Sequence, residues 1–199
     1  MTSRLDEGER LREPSGVRAM LRELEGRERH SPCDDIVRLA VRLRARDACE
    51  YCLLPTTSQF HVEYVIPPAR WDAYIKGKLP AVPALPDRHG PDHVDNFAWC
   101  CPFCNLAKGQ RVEQTVGQAS HRLYDPRRDR WNEHLRLAPG NLFVVGVTGI
   151  GRATELALGF NDPRPAGPLG ARQEMVLAGR YPPRWARGWT MPQREARSA

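Results

Sequence analysis

Apolar residues at Val17, Met20, Leu21 and Leu24 recur at helical spacing, with charged residues on the other face. The stretch 26–34, GRERHSPCD, breaks that pattern, and Asp34 or Asp35 is placed to cap a following helix. Ile36, Leu39, Ala40 and Leu43 mark that helix, which is expected to reach about residue 46. The pattern then changes to alternation. Phe60, Val62, Tyr64 and Ile66 alternate with His61, Glu63 and Val65, which predicts a β segment bending at Pro67–Pro68. WDAYIKGKL reads as a short helix or ordered excursion, and PAVPALPDRHGPDH as a Pro-rich surface loop. Phe97–Trp99 is a candidate partner strand, and a helix is expected from near Pro102 past Lys108. Further on, Leu142–Val147 predicts a short strand, and Thr148 can cap a helix carrying Ala153, Leu156, Ala157 and Phe160. A Pro/Gly loop over 161–170 precedes a final helix at Gln173–Ala178. Trp185 and Trp189 are spaced to share a packed face, and 190–199 is expected to be disordered.

The length of 199 residues suits one moderate domain with appendages, or two small ones. No apolar run reaches the ~18 residues of a membrane-spanning helix. The N-terminus MTSRLDEGERLREPSG lacks an apolar stretch, so no secretory signal is expected and the expected location is cytoplasmic. The net charge is +6, and Lys76, Lys78 and Lys108 are the only lysines. Arginine forks suit phosphate, but a GC-rich coding bias also yields arginine. Charge therefore permits a nucleic-acid partner without showing one. No membrane partner is expected.

Two cysteine pairs change the picture more. Cys49-x2-Cys52 and Cys101-x2-Cys104 make a four-thiolate set suited to tetrahedral zinc. Iron is the alternative. The set is closed, so its Zn²⁺ is expected to be structural. Cys100 competes with Cys101 for the ligand position, and only Cys101 gives the two-residue gap to Cys104. Cys33 and Cys100 are otherwise expected to be ordinary buried residues.

RARDACEYC at 44–52, FHVEYVIP at 60–67, DNFAWCCPFCNLAKG at 95–109 and, less closely, GVTGIGRATELAL at 146–158 together resemble the HNH endonuclease family. The resemblance implies an α+β fold with a ββα-metal (His-Me finger) core, a structural four-cysteine zinc site and extra helices. It implies a second, catalytic ion, Mg²⁺ or Mn²⁺. By the same resemblance, Glu63 and Asn105 are its ligands, Asn96 ties the hairpin together, and Lys108 with Gly109 completes the CNxxKG pattern. Tyr64 stands where the family has its general-base histidine. Phenol is a poor substitute, since its ordinary pKa is about 10. His61 has the strand parity of Glu63 rather than Tyr64. His89 and His93, in the long loop, are other candidates to approach the metal.

The expected organisation is a charged, helical extension over 1–34, an HNH-type domain over 35–160 with an insertion at 69–94, and a helical tail over 161–199. Within the insertion, Arg70, Lys76 and Lys78 could contact phosphate and Trp71 and Tyr74 could stack on bases. Arg127, Arg128 and Arg130 form a second candidate phosphate patch, with Arg111 and Lys108 as further contacts. The expected function is a metal-dependent DNA endonuclease weakened by Tyr64. The alternatives are a catalytically inactive nucleic-acid-binding protein and a zinc-stapled interaction protein that never touches nucleic acid.

Overall fold

The computed structural model describes residues 19–191, except 21, 25, 28, 80, 84–88, 165 and 166. Met20 and Leu24 lie on a helical stretch, while Val17 and Leu21 fall outside the described residues, as does the expected disorder of 192–199. Asp34 caps helix α1 (Asp35–Arg44), accepting from the Ile36 and Val37 amides at 2.8 and 3.3 Å. The helix is where the periodicity puts it, but its buried stripe is Val37, Ala40 and Val41. Ile36 and Leu39 face solvent. The inward rotation also uses two arginines. Arg38 donates to the Phe60 carbonyl, and Arg44 donates to the carbonyls of Val94 and Phe97.

Those carbonyls border the central hairpin. Strand β1 (His61–Tyr64) pairs antiparallel with β2 (Phe97–Cys100), setting Glu63 opposite Ala98 and Tyr64 opposite Phe97. Between them, Pro68 starts α2 (Pro68–Ile75), where its missing N–H costs no helical bond. The insertion builds a small core of its own from Ile66, Tyr74, Leu79, Val82 and Val112. Tyr74 is buried there, so its ring is not open for stacking as the sequence suggested, while Trp71 is half-buried against it. Helix α3 (Pro102–Lys108) follows β2 directly.

Strands β3 (Glu113–Val116) and β4 (Ala119–Arg122) form a second hairpin, turned at Gly117 with φ 62°. Helix α4 (Trp131–His134) runs into β5 (Leu135–Leu137), which pairs with β6 (Val144–Gly146). Thus WNEHLRL is a helical turn followed by a strand. Thr148 caps α5 (Gly149–Leu158), its hydroxyl accepting from the Gly151 amide at 3.0 Å. Helix α5 lies across β3, β4, β6 and α3. Close approach requires glycine there, because a Cβ on Gly151 would sit 1.8 Å from the His134 carbonyl oxygen.

Helix α6 (Pro168–Leu177) begins five residues before the expected Gln173. It inserts Arg172, fully buried, whose guanidinium caps the carbonyls of Leu142 and Phe160. A 3-10 helix at Arg184–Trp189 stacks Trp189 on Trp131 at 5.3 Å, and the Met191 amide closes onto Leu137 at 2.7 Å. The fold is therefore mixed α+β, with three two-stranded antiparallel sheets among the described residues. No helix among them is long and apolar enough to cross a membrane.

The Gly151 contact makes a stability prediction. Gly151→Ala should destabilise the protein by about 1–3 kcal/mol or more, because a methyl is forced onto backbone that cannot yield. Urea unfolding should show a lowered midpoint with an unchanged slope.

Candidate metal centre and adjoining cation site

Cys49 and Cys52 bracket a tight knuckle. The Leu53 amide returns to the Cys49 carbonyl at 2.9 Å, with Leu53 in the left-handed region at φ 64°. Across from it, Cys101 caps α3, and its sulfur accepts from the Cys104 amide at 3.5 Å. The four sulfurs of Cys49, Cys52, Cys101 and Cys104 lie within 4.8 Å of one another, all buried. The Cys52–Cys101 pair is 3.6 Å apart. A tetrahedron with metal–sulfur bonds of about 2.3 Å has edges of about 3.8 Å, so the set fits such an ion. The thiols cannot all ionise without one. Burial pushes Cys101 and Cys104 well up, and also opposes Cys49, whose thiolate is nonetheless drawn well down by hydrogen bonds from its neighbours. A dication removes that conflict.

Cys100 is buried beside the set but outside it, on β2 opposite His61. Cys33, expected to be buried, is exposed, because it lies in the turn ahead of α1. The knuckle also receives the later chain. Its Tyr51 carbonyl accepts from the Trp131 indole at 2.8 Å, and its Cys52 carbonyl accepts from the Tyr181 hydroxyl at 3.1 Å.

Immediately beyond the thiols, α3 carries Asn105 and Lys108 three positions apart, hence on one face. Lys108 is buried, not presented to solvent as a phosphate contact would be. Its ammonium donates to Glu63 Oε1 at 2.9 Å and to the Tyr64 carbonyl at 2.6 Å. Two hard oxygens at the end of β1 thus hold a cation. Burial pushes the Glu63 carboxyl up, and Lys108 offsets this only in part. Asn105 is half-buried, and its backbone continues the helix. Asn96 is fully buried, and its side chain extends the hairpin. It accepts from the Ile66 amide and donates to the carbonyls of Ile66 and Pro91.

Tyr64 packs edge-on against Phe97, and its hydroxyl donates to Asp92 Oδ1 at 2.9 Å. Burial first, then the Asp92 carboxylate, pushes its pKa up to about 12. At pH 7 that leaves about one phenol in 10⁵ ionised. His61 is exposed at the far end of β1.

The basic candidates separate by surroundings. Arg127 is drawn inward to an ion pair with Glu50, which also accepts from the Trp99 amide. Arg128 and Arg111 are exposed, although Arg111 also reaches the carbonyls of Ala107 and Ala157. Arg130 lies 3.8 Å from Glu133, Lys76 lies 3.8 Å from Asp72, and Lys78 is exposed. Two groupings are not readable from the sequence. One is the Tyr64–Asp92 bond. The other is a half-buried cluster in which Arg122 donates a fork of bonds to Asp129, with His134 at 3.8 Å. An acid within reach of an arginine in HRLYDPRRDRWNEH is the available signal.

Two outcomes follow from this geometry. Cys101→Ser should cost the protein its cysteine-bound metal and cooperative melting, whereas Cys100→Ala should retain that metal by elemental analysis. Structural zinc in small domains contributes on the order of 10 kcal/mol, so the first variant should not fold at ordinary temperature. Separately, a raised phenol pKa adds stability that is present below about pH 10 and lost as pH rises toward about 12. NMR titration of Tyr64 should show this late ionisation, and Asp92→Asn should move it toward the ordinary value. Comparison with known protein families, curated proteins and solved structures finds no match. What stands from the geometry is a metal-binding protein whose four-cysteine centre is followed on α3 by a buried Lys108 paired with Glu63.

Proposed function

We propose that the chain is a metal-dependent DNA endonuclease of the HNH type, hydrolysing phosphodiester bonds at a reduced rate. The observation that carries this is the half-buried Glu63 at the end of β1, held to the helix that leaves the four-cysteine centre. Glu63 Oε1 and the Tyr64 carbonyl bind the Lys108 ammonium, with Asn105 on the same face of α3. An antiparallel strand pair followed by a helix frames it, which supports the reading. Carboxylate and amide oxygens suit Mg²⁺ or Mn²⁺, so Glu63 and Asn105 would hold such an ion once Lys108 withdraws. When bound, the ion supplies positive charge for the phosphate and the leaving oxygen. Asn96 fixes the end of the hairpin beside the Pro91 segment. Tyr64, un-ionised and tied to Asp92, orients rather than accepts a proton. Of the basic candidates, Arg111, Arg128, Arg130, Lys76 and Lys78 are the ones exposed to an incoming phosphate.

A second reading has its own support. The phenol is held far from ionisation, and Lys108 already neutralises Glu63. Both favour a catalytically inactive nucleic-acid-binding module.

Plasmid nicking with Mg²⁺ or Mn²⁺ separates the two. The first reading expects slow, metal-dependent nicking that is lost in Glu63→Ala. Tyr64→His should then raise the rate by about 10²-fold, the usual scale of a positioned general base. No nicking by either protein, with salt-sensitive retention of DNA in a gel, would favour the second reading. Neither nicking nor retention would sink both.

A further inference from the structure

We infer that His89, His93 and Asp95 form a second metal site, for a borderline-soft divalent cation such as zinc, stapling the returning end of the insertion to the helical turn that leads into β2. The inference stands apart from the proposed nuclease activity. One candidate ligand atom from each of the three residues lies within 4.8 Å of the others. His89 Nδ1 stands 2.8 Å from Asp95 Oδ2, and His93 Nδ1 stands 2.9 Å from Asp95 Oδ1. The two rings lie side by side, 4.4 Å between centroids and inclined by 34°. Zinc bonds of about 2.0–2.1 Å to imidazole and carboxylate give tetrahedral edges of about 3.4 Å, so small outward shifts admit the ion. Two imidazoles and one carboxylate form a donor set that suits zinc and its neighbours rather than magnesium.

His93 provides the independent observation. Its side chain is 3% exposed, and its Nε2 is buried with no hydrogen-bond partner. Its Nδ1 meets opposed demands. The Asp95 amide, at 3.4 Å, points a proton at it, while Asp95 Oδ1, 2.9 Å away and itself buried without a hydrogen-bond partner, calls for a proton or a cation there. Neither neutral tautomer satisfies both neighbours and also partners Nε2. Adjacent His30 shows what a satisfied structural histidine looks like here. Its Nδ1 accepts from the Val94 amide at 3.1 Å and its Nε2 donates to the Leu24 carbonyl at 2.6 Å. A cation among His89, His93 and Asp95 allows two imidazole lone pairs and a carboxylate to converge. The His89 side chain is 67% exposed, so solvent reaches the cluster and can supply a fourth ligand. The site residues flank Asp92 in the chain, so an ion there fixes the acceptor of the Tyr64 hydroxyl.

The test uses the full chain carrying its cysteine-bound zinc, stripped of loosely held metal with a mild chelator. Calorimetric titration with Zn²⁺ and Co²⁺ should reveal one additional equivalent. Its Co²⁺ form should show d–d absorption without thiolate charge-transfer bands. Outer-shell partners alone change metal affinity by about 10–100-fold, so His89→Ala should weaken this step by about 100-fold or more. His89 is exposed, so that variant should melt like the parent in the stripped state. Asp95→Asn should weaken the same step and leave the cysteine-bound metal in place. Absence of the additional step, or a step unchanged in His89→Ala, would overturn the inference.

Discussion

Four thiols gathered in a solvent-free interior are the constraint on which the other contacts rest. They join the end of α1 to the start of α3, segments some fifty residues apart in the chain. Once the knuckle is closed, its carbonyls become acceptors for Trp131 and Tyr181, so the C-terminal third docks onto a surface that the cysteines create. The hairpin is fixed from the same centre, because β2 runs directly into the second cysteine pair. The position of Glu63 relative to Lys108 therefore depends on sulfur atoms that touch neither.

The arginines serve this interior more than composition suggests. Arg38, Arg44 and Arg172 bond backbone carbonyls where chain segments end, Arg127 closes an ion pair with distant Glu50, and Arg122 closes a local one with Asp129. A buried guanidinium with several acceptors is well suited to such junctions, because its fork satisfies more than one orphan carbonyl. The net charge of +6 is thus a poor measure of a phosphate-binding surface.

Much of the hairpin and its flanking helices is legible in the sequence, since local signals agree there. Asp34 and Thr148 cap the helices they precede, alternation marks β1, and the two-residue gap selects Cys101 over Cys100. The β3–β4 hairpin is not legible, because Val116 is its one large apolar residue and Gly117 its one turn signal. The early start of α6 is hidden by Pro168, which reads as a loop residue but suits a first helical position. In the site, residue identities are readable and partnerships are not. Lys108 meets Glu63 across 45 positions and Tyr64 meets Asp92 across 28, contacts set by packing rather than by local pattern.

The small core behind α2 has a consequence for how this chain can change. Ile66, Tyr74, Leu79, Val82 and Val112 seal the base of the insertion, while the cysteines clamp the two strands that flank it. Lengthening a closed loop is cheap, about 0.6 kcal/mol for each doubling. New sequence introduced at the exposed turn Lys76–Gly77–Lys78 would lie outside that core. That makes the segment a natural graft point, where a binding loop could be exchanged and its reach tuned without redesigning the scaffold.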